Sequence, residues 1–178
     1  RLCPTSWALK GPRTKYCKST GACVEEFDHF CGWLNVAIGK GNHRPFMMLA
    51  FTEVATQFAH IYLCINVVLT LVRFNNSFLR WALQVLASHP LVVLVGGLQV
   101  ATSMGVAYLI CFQLALVACN LTTNEYINAT RYGLAEVVSG TQRGRRLRWK
   151  ANPFDKGGIA SNCLDFWWWR RRTQRGPV

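Results

Sequence analysis

Nothing constrains the fold of this chain more than two long stretches that hold almost no charge. The first runs from Phe46 to Val72, 27 residues interrupted by Glu53, Gln57, His60 and Asn66. As a helix those 27 residues reach roughly 40 Å, more than the ~30 Å hydrocarbon core of a bilayer. The second runs from about Pro90 to Cys119 without a charged residue, and its Gly96, Gly97, Ala101, Ser103 and Gly105 are of the small kind that lets membrane helices approach closely. Spans of this length and composition are expected to cross a membrane rather than to form a buried core helix. Glu53 is placed near an interface, and His60, deeper in, is expected to be a hydrogen-bonded packing residue.

Charge is segregated around these spans. The chain is 51% hydrophobic yet carries a formal net charge of +12. Of 20 Lys and Arg, only Arg73 and Arg80 lie between the two spans. An excess of cations at both ends puts both ends on the cytosolic side and the connection on the lumenal side. Asn75, Asn76 and Ser77 in that connection form a glycosylation acceptor pattern compatible with a lumenal face. Arg143, Arg145, Arg146, Arg148 and Lys150 would suit nucleic acid by charge alone, but beside a membrane span they are read as contacts to anionic lipid. Phe166 to Trp169, followed by Arg170 to Arg172, suit the headgroup interface. No Gly-rich phosphate loop is present, which disfavours ATP- or NAD-dependent chemistry.

Ahead of the first span, Asp28, His29 and Cys31 bring an acid, an imidazole and a thiol together. A thiol of ordinary pKa needs a neighbouring base to become a nucleophile, and a carboxylate can hold that base in one tautomer. Taken alone, the trio is equally compatible with a metal site.

The wider pattern narrows this. The order Cys3, Lys10, Arg13, Lys15, Cys17, Cys23, Val24, Phe27, Asp28, His29, Phe30, Cys31, Trp33, Gly39, Asn42, Phe46 resembles the cysteine-rich domain of the DHHC-type protein S-acyltransferases, or palmitoyltransferases. Thr122, Thr123, Asn124 and Glu125 resemble that family's T-T-x-E motif. Asn152 to Asp155, with Gly158 and Asn162, resemble its C-terminal N-P-F-D segment. The stretch from Thr122 to Tyr132 is most similar to the ankyrin-repeat-bearing members.

The resemblance implies an all-α integral membrane protein, of which this is a two-helix segment of a four- or six-helix whole, with a small irregular cytosolic cysteine-rich catalytic domain. The implied division is residues 1–45 catalytic, 46–72 and 90–119 transmembrane, 73–89 lumenal and 120–178 cytosolic, with a helix near Tyr126 to Val138. It also implies transfer of a long-chain acyl group from acyl-CoA, through a thioester on Cys31, to cysteine of substrate proteins. His29 would be the base and Asp28 its orienting acid. Lys10, Arg13 and Lys15 would meet the CoA head group, and Trp33 and Phe46 the acyl chain. Thr122, Thr123 and Glu125 would sit against Asp28, and Asn162 would brace the C-terminal segment. The implied partners are acyl-CoA, cysteine-containing proteins and membrane lipid, with no nucleic acid, on a multi-pass protein of the Golgi or another endomembrane. A membrane adaptor without activity and a thiol-dependent acyl hydrolase remain alternatives.

Family members fold this domain around two structural zinc ions. Here one site would keep Cys3 and Cys23 with Ser6 and Tyr16, and the other Cys17 with Thr20, Phe30 and Ala37. A closed site needs four N or S ligands, so no structural zinc and no other cofactor are expected. An aromatic cluster of Trp7, Tyr16, Phe30 and Trp33 is expected in its place. Disulfides are not expected on a cytosolic face.

Overall fold

In a computed structural model, residues 2–74, 76–138 and 146–169 are described, all but the side chain of Arg146. Asn75, Arg143, Arg145 and Arg170 to Arg172 lie outside the described residues. The chain divides into two compact units, residues 1–46 with 112–178, and residues 47–111.

The first unit opens with two antiparallel hairpins, β1 (Lys15–Cys17) with β2 (Ala22–Val24), and β3 (His29–Cys31) with β4 (Val36–Ile38). The expected irregular, all-α character is therefore corrected. Strands of three residues are too short to show a period-two pattern, and their pairing is fixed by turns and by what they bury. Cys17, Phe27 and Ala37 form a buried cluster against which Val24 and Phe30 pack. Trp7 and Trp33 are not part of it. They stand 78% and 99% exposed, so the expected four-residue aromatic cluster does not form.

Where the hairpins meet the first long helix, Gly39 is wedged against the chain. A Cβ there would lie 2.7 Å from the carbonyl oxygen of Glu25, the same oxygen that accepts from Lys40 N at 3.0 Å. Asn42 then ties off the hairpin, accepting from Gly39 N at 2.8 Å and donating to Ala37 O at 2.9 Å. The helix α1 (His43–Leu71) begins at this point, with Pro45 in its first turn, where a missing N–H costs nothing.

After α3 (Pro90–Ala118) the unit resumes. Asn120 adopts the left-handed conformation at φ 47°, while its N–H donates to Val117 O at 3.0 Å and that of Leu121 to Leu116 O at 2.9 Å. That pair of bonds is the Schellman termination, with Asn in the place glycine usually takes. A short helix α4 (Thr123–Ile127) follows, then the hairpin β5 (Ala135–Val138) with β6 (Arg146–Trp149), then α5 (Ile159–Leu164) and a π-helical turn, Asp165–Trp169. The helix expected over 126–138 thus stops at Ile127, and Ala135 onward is strand. Ala129, Leu134 and Ala135 bury together with Leu121 and Phe154 against them, which turns the chain before a helix can extend.

The second unit contains Met47 onward of α1, a helix α2 (Phe78–Ser88) inside the stretch expected to be loop, and α3 as far as Cys111. Among the described residues, α1 and α3 are the two helices long and apolar enough to cross a membrane. Several of their polar side chains find partners within the unit, while Gln57 Oε1 is buried with no hydrogen-bond partner among the described residues. Gln57 donates to Glu53 at 2.8 Å, Gln99 Nε2 lies 3.2 Å from His60 Nδ1, and Thr52, Thr56, Asn66 and Thr70 donate to carbonyls one turn back. Trp81 Nε1 donates to Val72 O at 3.0 Å, closing the end of α1 with the first turn of α2.

Gly39→Ala must displace the Glu25 backbone, so it should lower the stability of the purified full-length protein by about 1–3 kcal/mol. Gly41→Ala, which meets no atom within 4 Å, should leave the thermal midpoint unchanged. Equal midpoints for the two variants would refute the close approach at Gly39.

Candidate active site

Asp28 directly precedes β3, and its backbone is held from both sides. Its N–H donates to Ile38 O at 2.8 Å, and its carbonyl accepts from Asn124 N at 3.1 Å. The residue is 1% exposed, and four donors close on its carboxylate. Thr123 N–H reaches Oδ1 at 2.6 Å. Oδ2 accepts from Thr123 Oγ1 at 2.8 Å, from Gln113 Nε2 at 3.0 Å and from His29 Nδ1 at 2.7 Å. Burial pushes this carboxyl up, but the His29 hydrogen bond, the electrostatic influence of His43 and the Thr123 and Gln113 donors outweigh it, leaving the group at about 2, below its ordinary 3.8. Asp28 is an anion at any physiological pH.

That anion fixes the imidazole. With Nδ1–H donated to Asp28, the His29 lone pair is on Nε2. The ring is further held by Phe46, whose ring meets it edge-on at 5.0 Å. His29 and Cys31 are two apart on β3, so their side chains leave the same face of the strand while Phe30 points the other way, to the buried cluster. Cys31 is buried and His29 half-buried. The strand therefore separates the reactive pair from the packing residue between them.

The turn that holds Asp28 is built by its own spacing. Thr122 is the N-cap of α4, its Oγ1 accepting from Glu125 N at 3.1 Å while Glu125 Oε2 accepts from Thr122 N at 2.9 Å. This reciprocal capping box requires hydroxyl and carboxylate three residues apart and leaves Thr123 free to face Asp28. Glu125, 4% exposed, needs a cation. Arg13 supplies it, donating from Nε and Nη2 to the two carboxylate oxygens at 2.7 Å each. Arg13 also donates to the Asn120 side chain and carbonyl, and its guanidinium lies 4.3 Å over the Phe154 ring.

Arg13, expected in a CoA-binding cluster, is thus engaged internally by Glu125 and Asn120. Lys15 is tethered to Asn124 Oδ1 at 2.5 Å and lies over the Phe27 ring, with no second hydrogen-bond acceptor among the described residues. Lys10, half-buried, is the one member of the trio without an internal partner among the described residues. Trp33 is not drawn into the cluster either; it projects from the turn between β3 and β4.

The C-terminal motif serves the end of α3. Asn162, 3% exposed, donates to Ala118 O at 2.8 Å and to Asp155 Oδ1 at 2.9 Å, and accepts from Lys156 N at 2.8 Å. Asn152 donates to Cys119 O, and Asn120 to Phe154 O at 2.6 Å. The Ala118 and Cys119 carbonyls, which the end of α3 leaves without helical partners, are thereby satisfied by the Asn162 and Asn152 side chains. The π-helical turn contributes Phe166, 2% exposed and edge-on to His43 at 5.0 Å, so this member of the aromatic run is interior rather than interfacial. Trp168 and Trp169 remain exposed.

Two members of the site are absent from the sequence reading, Gln113 and His43. Gln113, 1% exposed, donates to Asp28 and to Thr123 Oγ1 at 3.0 Å each, and its Oε1 lies 3.0 Å from His43 Nε2. An amide buried inside an apolar span costs free energy unless it is paired, and that was the signal available for it.

The positions that resemble zinc ligands do not fit the metal. Cys17, Phe30 and Ala37 pack together as apolar neighbours, with the Thr20 hydroxyl bonded to the Cys17 thiol. Around Cys3 and Cys23, a hydrogen bond joins Ser6 Oγ and Cys23 Sγ at 3.2 Å. The Ser6 hydroxyl brings the buried Cys3 thiol down to about 6, with further help from Cys23. Two thiols and a hydroxyl at one place and one thiol at the other fall short of four ligands.

Arg13→Met should cost on the order of 3–5 kcal/mol, because it leaves Glu125 buried without its cation. Adding Glu125→Gln should recover much of the loss in chemical denaturation. A single variant as stable as wild type would show the fork to be dispensable. For Asp28, the folded carboxyl near 2 lies below the unfolded one. It contributes about 2 kcal/mol that is fully present above pH ~4 and lost as pH falls through about 2. Asp28→Asn should flatten that limb of the stability curve.

A family model described as DHHC palmitoyltransferase matches residues 1–130. Similar curated proteins include palmitoyltransferase ZDHHC18-B of Danio rerio, 31% identical over 163 residues that cover 92% of this chain and 38% of that protein. Palmitoyltransferase ZDHHC18 of Mus musculus is 29% identical, over 92% of this chain and 39% of its own length. Palmitoyltransferase ZDHHC17 of Homo sapiens is 29% identical over 173 residues, 95% of this chain and 26% of its own length. The chain thus spans between 26% and 39% of the length of these relatives. Because the family match takes in both the strand that carries Cys31 and the capped turn hydrogen-bonded to Asp28, the chain belongs to the DHHC palmitoyltransferase family, whose members are membrane proteins.

Proposed function

We propose that the protein containing this chain is a protein S-acyltransferase, moving a long-chain acyl group such as palmitoyl from acyl-CoA to cysteine of substrate proteins through a thioester on Cys31. The observation that carries this reading is the buried Asp28 carboxylate, held by four donors and hydrogen-bonded to His29 Nδ1 at 2.7 Å.

In the first step His29 Nε2 takes the proton of the Cys31 thiol. The thiolate attacks the thioester carbonyl, the bond to the CoA sulfur breaks, and the proton passes from His29 to the departing CoA thiolate. In the second, His29 removes the proton of an acceptor cysteine, whose sulfur attacks the Cys31 thioester and takes the acyl group, and the proton passes from His29 to the departing Cys31 thiolate. Each step exchanges one thioester for another, so what the protein must supply is position and a base. Asp28 remains ionised throughout and stabilises the imidazolium formed in both steps. Lys10 and the remaining protons of Lys15 suit the CoA phosphates. The exposed Trp33 and its neighbour Leu34 offer apolar surface beside Cys31 for the chain.

The distribution of cations supports a cytosolic site, with eighteen Lys and Arg outside the connection between the spans and two within it. The protein is then multi-pass, in the Golgi or another endomembrane, and reaches acyl-CoA from the cytosol. The same reading has the cysteine-rich domain folding without zinc, on the apolar and hydroxyl-bonded clusters in place of ligand sets.

Full-length protein incubated with labelled palmitoyl-CoA should acquire a hydroxylamine-sensitive label. The label should be lost in Cys31→Ala and fall on the order of a hundredfold in His29→Ala. A folded, CoA-binding wild type that takes no label would replace this reading with that of a membrane adaptor. Metal analysis of the same preparation should find no tightly bound zinc, and a stoichiometric ion would overturn the zinc-free fold.

A further inference from the structure

Gln113 and His43 lie outside the Asp-His-Cys set, and both are buried against it, at 1% and 4% exposure. Their hydrogen bonds admit one orientation only. Asp28 is an anion and can only accept, so the Gln113 atom facing it at 3.0 Å is Nε2. The Gln113 oxygen therefore faces His43, and His43 Nε2, 3.0 Å away, carries the proton. Donation runs in a single direction, from His43 to Gln113 and from Gln113 to Asp28. Thr123 closes a smaller ring, accepting from Gln113 at 3.0 Å and donating to the same Asp28 oxygen at 2.8 Å.

We infer that Gln113 and His43 are a positioning pair for the acyl transfer: the His43 N–H locks the Gln113 amide in the orientation that holds the Asp28 carboxylate square to His29. The inference rests on the acyltransferase reading. Gln113 acts on Oδ2, the oxygen that receives His29 Nδ1–H, so its hydrogen bond resists rotation of the carboxylate away from the imidazole. Without His43 the Gln113 oxygen loses its donor, and only Asp28 and Thr123 are left to hold the amide against a flip that would present an oxygen to an anion. His43 is itself held by the Phe166 ring at 5.0 Å and lies beside Phe46, the residue that packs on His29. Neither residue touches the reacting sulfur, and their effect passes through Asp28.

The test is a double-mutant cycle in the full-length protein, reading the single-turnover rate of Cys31 labelling by palmitoyl-CoA, the KM for palmitoyl-CoA and the thermal midpoint. Gln113→Met keeps the volume and removes the amide, and should lower the rate on the order of tenfold with KM unchanged. His43→Phe should lower it by about threefold, the smaller loss expected when a donor is removed one step further away. Combining the two should give the rate of Gln113→Met alone, since His43 acts only through the amide. Gln113→His, which restores an N–H toward Asp28, should recover most of the rate. Losses that multiply, a raised KM, or a Gln113→His variant as slow as Gln113→Met would overturn the inference. If Gln113→Met does not fold, as its thermal midpoint would report, Gln113→His and His43→Phe carry the test: a His43→Phe rate equal to wild type overturns it. A wild type that takes no label removes the acyltransferase reading and any catalytic purpose for the pair. That is distinct from labelling at equal rates in wild type and all variants, which defeats the positioning pair alone.

Discussion

A buried, ionised carboxylate is the constraint from which the rest of this structure follows. Removing Asp28 from water would cost several kcal/mol if it were left unpaired. The chain meets that cost with one donor from its own strand, two from the turn after α3 and one from within α3. Those donors lie far apart in sequence, so the requirement to satisfy one anion brings the hairpins, the helix end and the capped turn to one point. The imidazole it orients and the thiol beside it are placed as a consequence.

The same economy runs through the supporting residues. Each part of the Thr122 to Glu125 turn has a separate physical task. Thr122 caps the helix, Thr123 holds the carboxylate, and Glu125 completes the cap and receives Arg13. Asn152 and Asn162 do for the C-terminal end of α3 what water does for an exposed helix. Side chains that look like a list of polar motif positions are the partners of specific backbone groups.

The two spans, the order of the motif blocks and the Asp28, His29, Cys31 trio were legible in the sequence because each rests on composition or on close spacing. The hairpins were not, since three-residue strands carry no readable period and form because Phe27, Phe30 and Ala37 have somewhere to pack. Arg13 sits among other cations and reads as an anion site; only the return of Glu125 from 112 residues later shows its charge to be spoken for. Gln113 was hidden by its surroundings, one amide in an otherwise apolar helix. Trp7 and Trp33 misled in the opposite direction, because a large aromatic ring in a small domain suggests a core and these two lie outside it.

The Arg13–Glu125 fork also bears on how such a chain can change over generations. Loss of either partner strands a buried charge, so neither position drifts alone. A lineage that replaces the pair must pass through an intermediate with a weakened domain, or exchange both residues together. Positions 13 and 125 should therefore vary as a unit among relatives that share this packing, whereas Lys10, with no partner among the described residues, is under no such pairing there.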